Sequence, residues 1–238
     1  ENDIVEMGLA LTGNLRNLAV ERVSLNAPGL VEAKVDGFVR NALSEQRTGH
    51  LNYAAVTRTT RRVRALLPKS AASSLNVPDA MRLLGAVDFA GADYRTHFAL
   101  QQGKGNVNGR AVVNLNTENY SAQIDVRQFE LAQFLKGQPI GPLTGKLGVE
   151  GRGFDADAAR ANLRATAEVR EGRYDRFSLG GIGLSAALRG GHAVVDFKAR
   201  NPLIDGEGRI TAELNRRYAA QMDVRLARVD LRGLGVIE

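Results

Sequence analysis

Apolar and polar residues alternate along most of this chain with a period of two. In Tyr120-Ser-Ala-Gln-Ile-Asp-Val-Arg127, Tyr120, Ala122, Ile124 and Val126 fall on one side. Ser121, Gln123, Asp125 and Arg127 fall on the other. Successive side chains of an extended strand point to opposite faces, so this pattern predicts a strand with one apolar face. The same reading holds for Val31, Ala33 and Val35; for Val87 and Phe89; for Leu147 and Val149; and for Leu163, Ala165, Ala167 and Val169. It holds again for Val195, Phe197 and Ala199, for Ile210, Ala212 and Leu214, and for Tyr218, Met222 and Val224. Gly, Asn, Asp and Pro clusters interrupt these runs at roughly ten-residue spacing, which predicts many short antiparallel strands.

Helical periodicity is rare. Thr57 to Leu67 places Val63, Leu66 and Leu67 on one side and stops at Pro68. Phe129 to Leu135 places Leu131, Phe134 and Leu135 at helical spacing before Lys136-Gly137. Asp155 to Ala161 reads as a short helix or a loop.

The strands repeat. Tyr120–Arg127 returns as Tyr218-Ala-Ala-Gln-Met-Asp-Val-Arg225, with six of eight positions identical. Each copy follows a related strand, Gly109-Arg-Ala-Val-Val-Asn-Leu-Asn116 or Gly208-Arg-Ile-Thr-Ala-Glu-Leu-Asn215. A second motif, L-x-G-x-[V/L]-x-[F/V]-x-G, joins Leu83–Gly91 to Leu143–Gly151, and Leu11-Thr-Gly-Asn-Leu15 begins in the same way. The expected unit is a short helix, a Pro loop, an L-x-G strand and further strands. Three such units are expected: 1–67, a β unit ending in a short helix, then 68–135 and 136–238. Repeats that bury their apolar faces against neighbours give an elongated body. The expected fold is therefore mostly β, an elongated repeat of antiparallel sheet with a few short helices.

Composition narrows the chemistry. The chain of 238 residues has no Cys, which excludes disulfides, thiolate nucleophiles and Cys-ligated zinc or iron–sulfur centres. Three scattered histidines, His50, His97 and His192, make a poor metal set. Aromatic residues are 5% of the total, too few for a row of base-stacking platforms. The net charge of +6 suits an anionic partner, nucleic acid or lipid, but a solvated basic surface is the preferred account of it, and nucleic acid is not expected. The Arg58–Arg64 cluster is read as the wet side of a short helix.

No arrangement for catalysis stands out. Gly103-Lys-Gly-Asn-Val-Asn-Gly109 misses the G-x-G-x-x-G spacing and reads as a hairpin turn, as do Gly180–Gly183 and Gly190-Gly191. Asp155-Ala-Asp157 lacks the further oxygen ligands of a calcium loop. No Ser lies in G-x-S-x-G. We expect neither an enzyme nor a cofactor or metal site.

The recurring apolar faces remain. One account makes them an ordinary core between two sheets. The other makes them the open lining of a long curved sheet, with small residues such as Ala122, Ala165 and Ala212 leaving room for acyl chains or apolar peptide. Periodicity is the same in both.

The L-x-G strands, together with Leu11-Thr-Gly-Asn-Leu-Arg-Asn-Leu18 running into Val20-Glu-Arg-Val-Ser-Leu25 and then Leu30 to Gly37, resemble the AsmA-like superfamily. The nearest likeness is to its translocation and assembly module branch, over about residues 6–235. The resemblance implies a trough-like "β-taco" with an apolar interior, in a periplasmic part of an inner-membrane-anchored Gram-negative envelope protein. It implies a phospholipid ligand carried between inner and outer membranes in support of outer-membrane biogenesis, and an outer-membrane assembly-factor barrel as partner. It implies, as the alternative, a chaperone-like scaffold for assembly or secretion of barrel proteins. Read this way the chain is an internal fragment, anchored through a segment outside it. The family has no catalytic residues to carry over. Its apolar interior maps onto the alternating apolar positions named above.

Overall fold

The computed structural model describes residues 5–57, 78, 80–134, 137, 139–154, 162–214 and 219–232. The chain is mostly β, as the alternation predicts. Fourteen strands are hydrogen-bonded in chain order within one antiparallel sheet whose outermost members are the first and last strands. The chain divides into two compact units.

The first unit comprises Glu1–Val113 and Phe129–Gln138. Its strands are β1 (Glu6–Asn14), β2 (Asn17–Ala27), β3 (Val31–Arg40), β4 (Thr48–Thr57), β5 (Arg82–Ala90), β6 (Asp93–Gln102) and β7 (Gly105–Asn114). The second comprises Asn114–Gln128 and Pro139–Glu238. It carries β8 (Asn119–Phe129), β9 (Leu143–Arg152), β10 (Asn162–Glu171), β13 (Ile182–Arg189), β14 (His192–Arg200), β15 (Ile204–Glu213) and β16 (Ala220–Val229). A small hairpin, β11 (Arg173–Tyr174) and β12 (Phe177–Ser178), interrupts the run between β10 and β13.

The turns follow local chemistry. Between β13 and β14, Gly190 and Gly191 take φ of 54° and 79°, the left-handed pair that a two-residue hairpin needs. At other strand ends an Asn carboxamide closes the turn. Asn14 Oδ1 accepts from the backbone N–H of Arg16 and Asn17, and Asn201 Oδ1 from those of Leu203 and Ile204. Gly103-Lys104 is the turn joining β6 to β7.

The helical expectations fare differently. Within the described part of the Phe129–Leu135 candidate, Phe129–Phe134, there is no α-helix: Phe129 ends β8, and a 3₁₀ turn at Leu131–Gln133 follows. Phe129 and Phe134 stack at 5.2 Å, so the apolar spacing is satisfied by one tight turn folding back. Beneath it Gln102, only 3% exposed, donates through Nε2 to Gln133 Oε1 at 2.7 Å. Residues 58–67 and 155–161, the other helix candidates, lie outside the described residues, as does the Arg58–Arg64 cluster.

Little of either unit is interior. The buried apolar side chains are Val20, Ala27, Leu30, Ala86, Val107 and Phe129 in the first, and Leu188 and Ala199 in the second. The strand pairing explains why. Within each unit the strong contacts between elements join sheet neighbours, so each strand is covered on its flanks by the next strand.

Candidate apolar surface

In an antiparallel pair, residues directly opposite share a face. The register therefore sorts the candidate residues into rows. In the second unit one row runs Val149–Ala165–Ala186–Val195–Ile210–Met222. The next runs Leu147–Ala167–Leu184–Phe197–Gly208–Val224. Leu163 and Val169 belong to the flanking rows of the same face. On β8, Tyr120, Ala122, Ile124 and Val126 alternate as expected, each half-buried. Tyr120 leans over Gly151 of β9, opposite Leu163, which puts its side on the apolar face too.

In the first unit Val35 stands opposite Val23 and Tyr53, Val87 opposite Leu51 and Thr96, and Phe89 opposite Gly49 and Tyr94. Val31 lies between Ala27 and Thr57 on that face. Leu214 falls one residue beyond β15, half-buried, its N–H bonded to Gly191 O. Tyr218 lies outside the described residues.

Ala199 aside, none of the candidate positions in the described residues is buried. Most are half-buried, and the rest are exposed: Leu147 at 42%, Val224 at 43% and Met222 at 61%. Sequence reasoning missed others on the same faces. Met7, Leu9 and Leu11 of β1 are exposed, and so are Leu184 and Leu226. Their alternation is visible in the sequence, but short Gly, Ser and Ala neighbours blur it.

A second missed device is the aromatic–glycine pair. Phe197 stands opposite Gly208, Phe89 opposite Gly49, and Tyr53 opposite Gly85. In each pair the ring occupies the space a Cβ on the glycine would take; at Gly208 that Cβ would lie 2.5 Å from the ring. Phe98 covers Gly109 and Tyr120 covers Gly151 in the same way. A ring laid across a glycine shields bare backbone and keeps its own height above the sheet low. The signal was present in the repeat, since Gly109 and Gly208 open its two related strands.

The opposite face holds the charges, mostly in cross-strand pairs. Arg209 Nε lies 2.6 Å from Asp196 Oδ1, and Lys198 Nζ 3.6 Å from Glu207 Oε2. Arg164 faces Glu150, Lys146 faces Asp125, and His192 meets Glu213 at 2.6 Å. These pairs are exposed and each adds little stability. The hydrogen bond from Arg209 holds the Asp196 carboxyl below the usual carboxylate range and raises the guanidinium in return.

In the first unit Asp36, Asn52, His50 and Asp88 form a chain across β3, β4 and β5. Asn52 Nδ2 donates to Asp36, so its Oδ1 faces His50 Nε2 at 3.1 Å, while His50 Nδ1 meets Asp88 Oδ1 at 2.6 Å. Both ring nitrogens face acceptors, which favours the imidazolium. The hydrogen bond to Asp88 is the largest cause raising the His50 pKa above its ordinary 6.5.

Two hollows lie in the second unit. One, of about 830 Å³, spans β10 and β13 to β16 and is bounded by Ala167, Leu184, Phe197 and Val224 of the apolar rows and by Asp196, Lys198, Glu207, Arg209, Asp223 and Arg225 of the charged ones. The other, of about 610 Å³, is bounded by Tyr120, Gly151, Leu163 and Leu188 among others. Both volumes fall within the roughly 300–1,000 Å³ range of small-molecule sites. Among the described residues no group of three His, Asp or Glu side chains is placed to hold a metal ion, and no helix is long and apolar enough to cross a membrane. The chain matches no protein-family model, no curated protein and no solved structure.

Proposed function

We propose that this chain is a non-catalytic lipid-carrying part of a cell-envelope protein, of the TamB-like branch of the AsmA-like superfamily. In this reading the apolar sheet face receives the acyl chains of phospholipid passing between the inner and outer membranes. The surrounding compartment is the periplasm, the anchor lies in another segment, and the partner is an outer-membrane assembly-factor barrel.

The supporting observation is the apolar face itself. Strand after strand presents Val, Ile, Leu, Ala or Phe at corresponding positions, and among the described residues all the candidate side chains but Ala199 keep part of their surface open. A monomeric soluble protein rarely leaves contiguous apolar surface of this kind uncovered without a ligand or partner for it. An acyl chain suits it, because each methylene removed from water contributes about 0.8 kcal/mol without requiring directional chemistry. The low-lying rings over Gly208 and Gly49 suit it too, since they keep the surface even.

The test is a carboxylate placed in the middle of the rows. Ile124→Asp, Val169→Asp and Phe197→Asp are each expected to keep the β-sheet circular dichroism and to lower phospholipid binding at least tenfold. Native mass spectrometry of co-purified lipid and titration with a fluorescent phospholipid would read this. Folded variants that carry lipid as well as the parent would end the lipid reading.

A further inference from the structure

Charge pairing across the strands of the second unit fails at one place. Lys146 of β9 meets Asp125 of β8, Lys198 of β14 meets Glu207 of β15, and His192 of β14 meets Glu213 of β15. One row breaks this order. Arg152, the last residue of β9, and Arg189, the last of β13, both stand opposite Asn162, the first of β10. Residues directly opposite share a face, so two guanidiniums flank one carboxamide where a carboxylate would complete the pattern. Neither arginine is paired with a carboxylate among the described residues.

The surroundings leave room for a ligand. The hollow of about 610 Å³ is bounded by Arg152, Asn162 and Arg189, and also by Asn119, Ser121 and Arg164. The one carboxylate on its boundary, Glu150, lies 3.6 Å from Arg164 Nη1 and is matched by it. The excess positive charge therefore falls to Arg152 and Arg189. Neighbouring strands lie about 4.8 Å apart, so the two arginines start about 10 Å apart across Asn162. That gap admits one tetrahedral oxyanion between two side chains. A guanidinium presents its N–H groups as a planar fork that takes phosphate oxygens two at a time. The Asn162 carboxamide brings two further N–H donors to the same row.

We propose that Arg152, Asn162 and Arg189 form a binding site for a phosphate group, borne by a soluble phosphate ester or by a lipid headgroup. The site stands on a charged row and not on the apolar face, so it does not rest on the lipid reading.

The test titrates the whole 238-residue chain with inorganic phosphate by calorimetry at fixed ionic strength. Saturable one-to-one binding in the millimolar range is expected, with none for acetate. Arg152→Gln and Arg189→Gln should each weaken phosphate binding about fivefold, and the double variant should abolish it. Lys146→Gln removes the same charge from the same strand and should leave it unchanged. If a glutamine variant does not fold, Arg152→Lys or Arg189→Lys keeps the charge, loses the fork and should still weaken binding. Flotation with vesicles of phosphatidylcholine and phosphatidic acid separates the two sources. Vesicle binding that needs both arginines and yields to inorganic phosphate assigns a lipid headgroup. Phosphate binding without vesicle binding assigns a soluble ester. No saturable phosphate binding, equal binding of acetate, or binding that survives the double variant would overturn the proposal. So would an equal loss in Lys146→Gln, since net charge alone would then account for the affinity.

Discussion

Gly208 has no side chain because Phe197 lies where one would go. A Cβ there would also come within 2.8 Å of the Asp223 carbonyl oxygen, on the strand at its other side. Gly208→Ala should therefore cost about 1–3 kcal/mol, the usual penalty for overfilling a packed site, although Ala is the better strand residue. Most of that cost should vanish in a Phe197→Ala background, because the ring is then gone and only the carbonyl contact remains. A double-mutant cycle by urea denaturation should return a coupling of about 1 kcal/mol or more. Additive effects would show that ring and glycine are neighbours without being partners.

At the scale of the strand, the decisive quantity is which face a residue takes, and a single inserted residue decides it. On β2 the apolar pair Val20 and Val23 are three apart, which breaks the alternation. The structure absorbs this in a bulge: Val20 stands opposite Leu11 and Gly37, Arg22 opposite Ala10, and Val23 opposite Leu9 and Val35, leaving Glu21 over. Deleting Glu21 gives Val-Arg-Val, a regular alternation with both valines still on the apolar face. The deletion should shift the unfolding midpoint little, by about 1 kcal/mol or less, through loss of the Thr12–Glu21 hydrogen bond. Deleting Asp125 from the regular run on β8 should instead turn Ile124 and Val126 to opposite faces and destabilise β8 and the strands beside it far more than the Glu21 deletion does β2. Circular dichroism melts of the two deletions separate these outcomes. Equal damage from both would refute the account of the bulge.

That contrast also marks how much was legible beforehand. Strands such as β8, β10 and β14 have clean alternation and were readable to their apolar positions. The register was not, because period two is indifferent to which strand lies alongside. The rows from Val149 to Met222 and from Leu147 to Val224 needed backbone pairing to appear. Phe129–Leu135 misled because apolar spacing of three and four also suits one tight turn under a stacked ring pair. The aromatic–glycine pairs are separated in sequence by as much as 40 residues, and no local pattern links Gly49 to Phe89.

For the molecule as a whole, chain-order pairing has a thermodynamic consequence. Each long strand bonds to its neighbours in sequence, the small hairpin between β10 and β13 being the one interruption. Among the described residues few side chains are buried, so packing there ties each strand mainly to its neighbours. Stability is then close to a sum of strand terms and nearest-neighbour terms, as in repeat proteins. Strands with two partners should be the hardest to open, and β1 and β16, with one partner each, the easiest. Native-state hydrogen exchange should thus show graded opening free energies, lowest at β1 and β16 and rising over the next strands inward. The gradient should persist at low denaturant, and the unfolding transition should be broader than the chain length predicts for two states. A single opening free energy shared by β1, β8 and β16 would contradict this and would require long-range coupling that nearest-neighbour pairing does not supply.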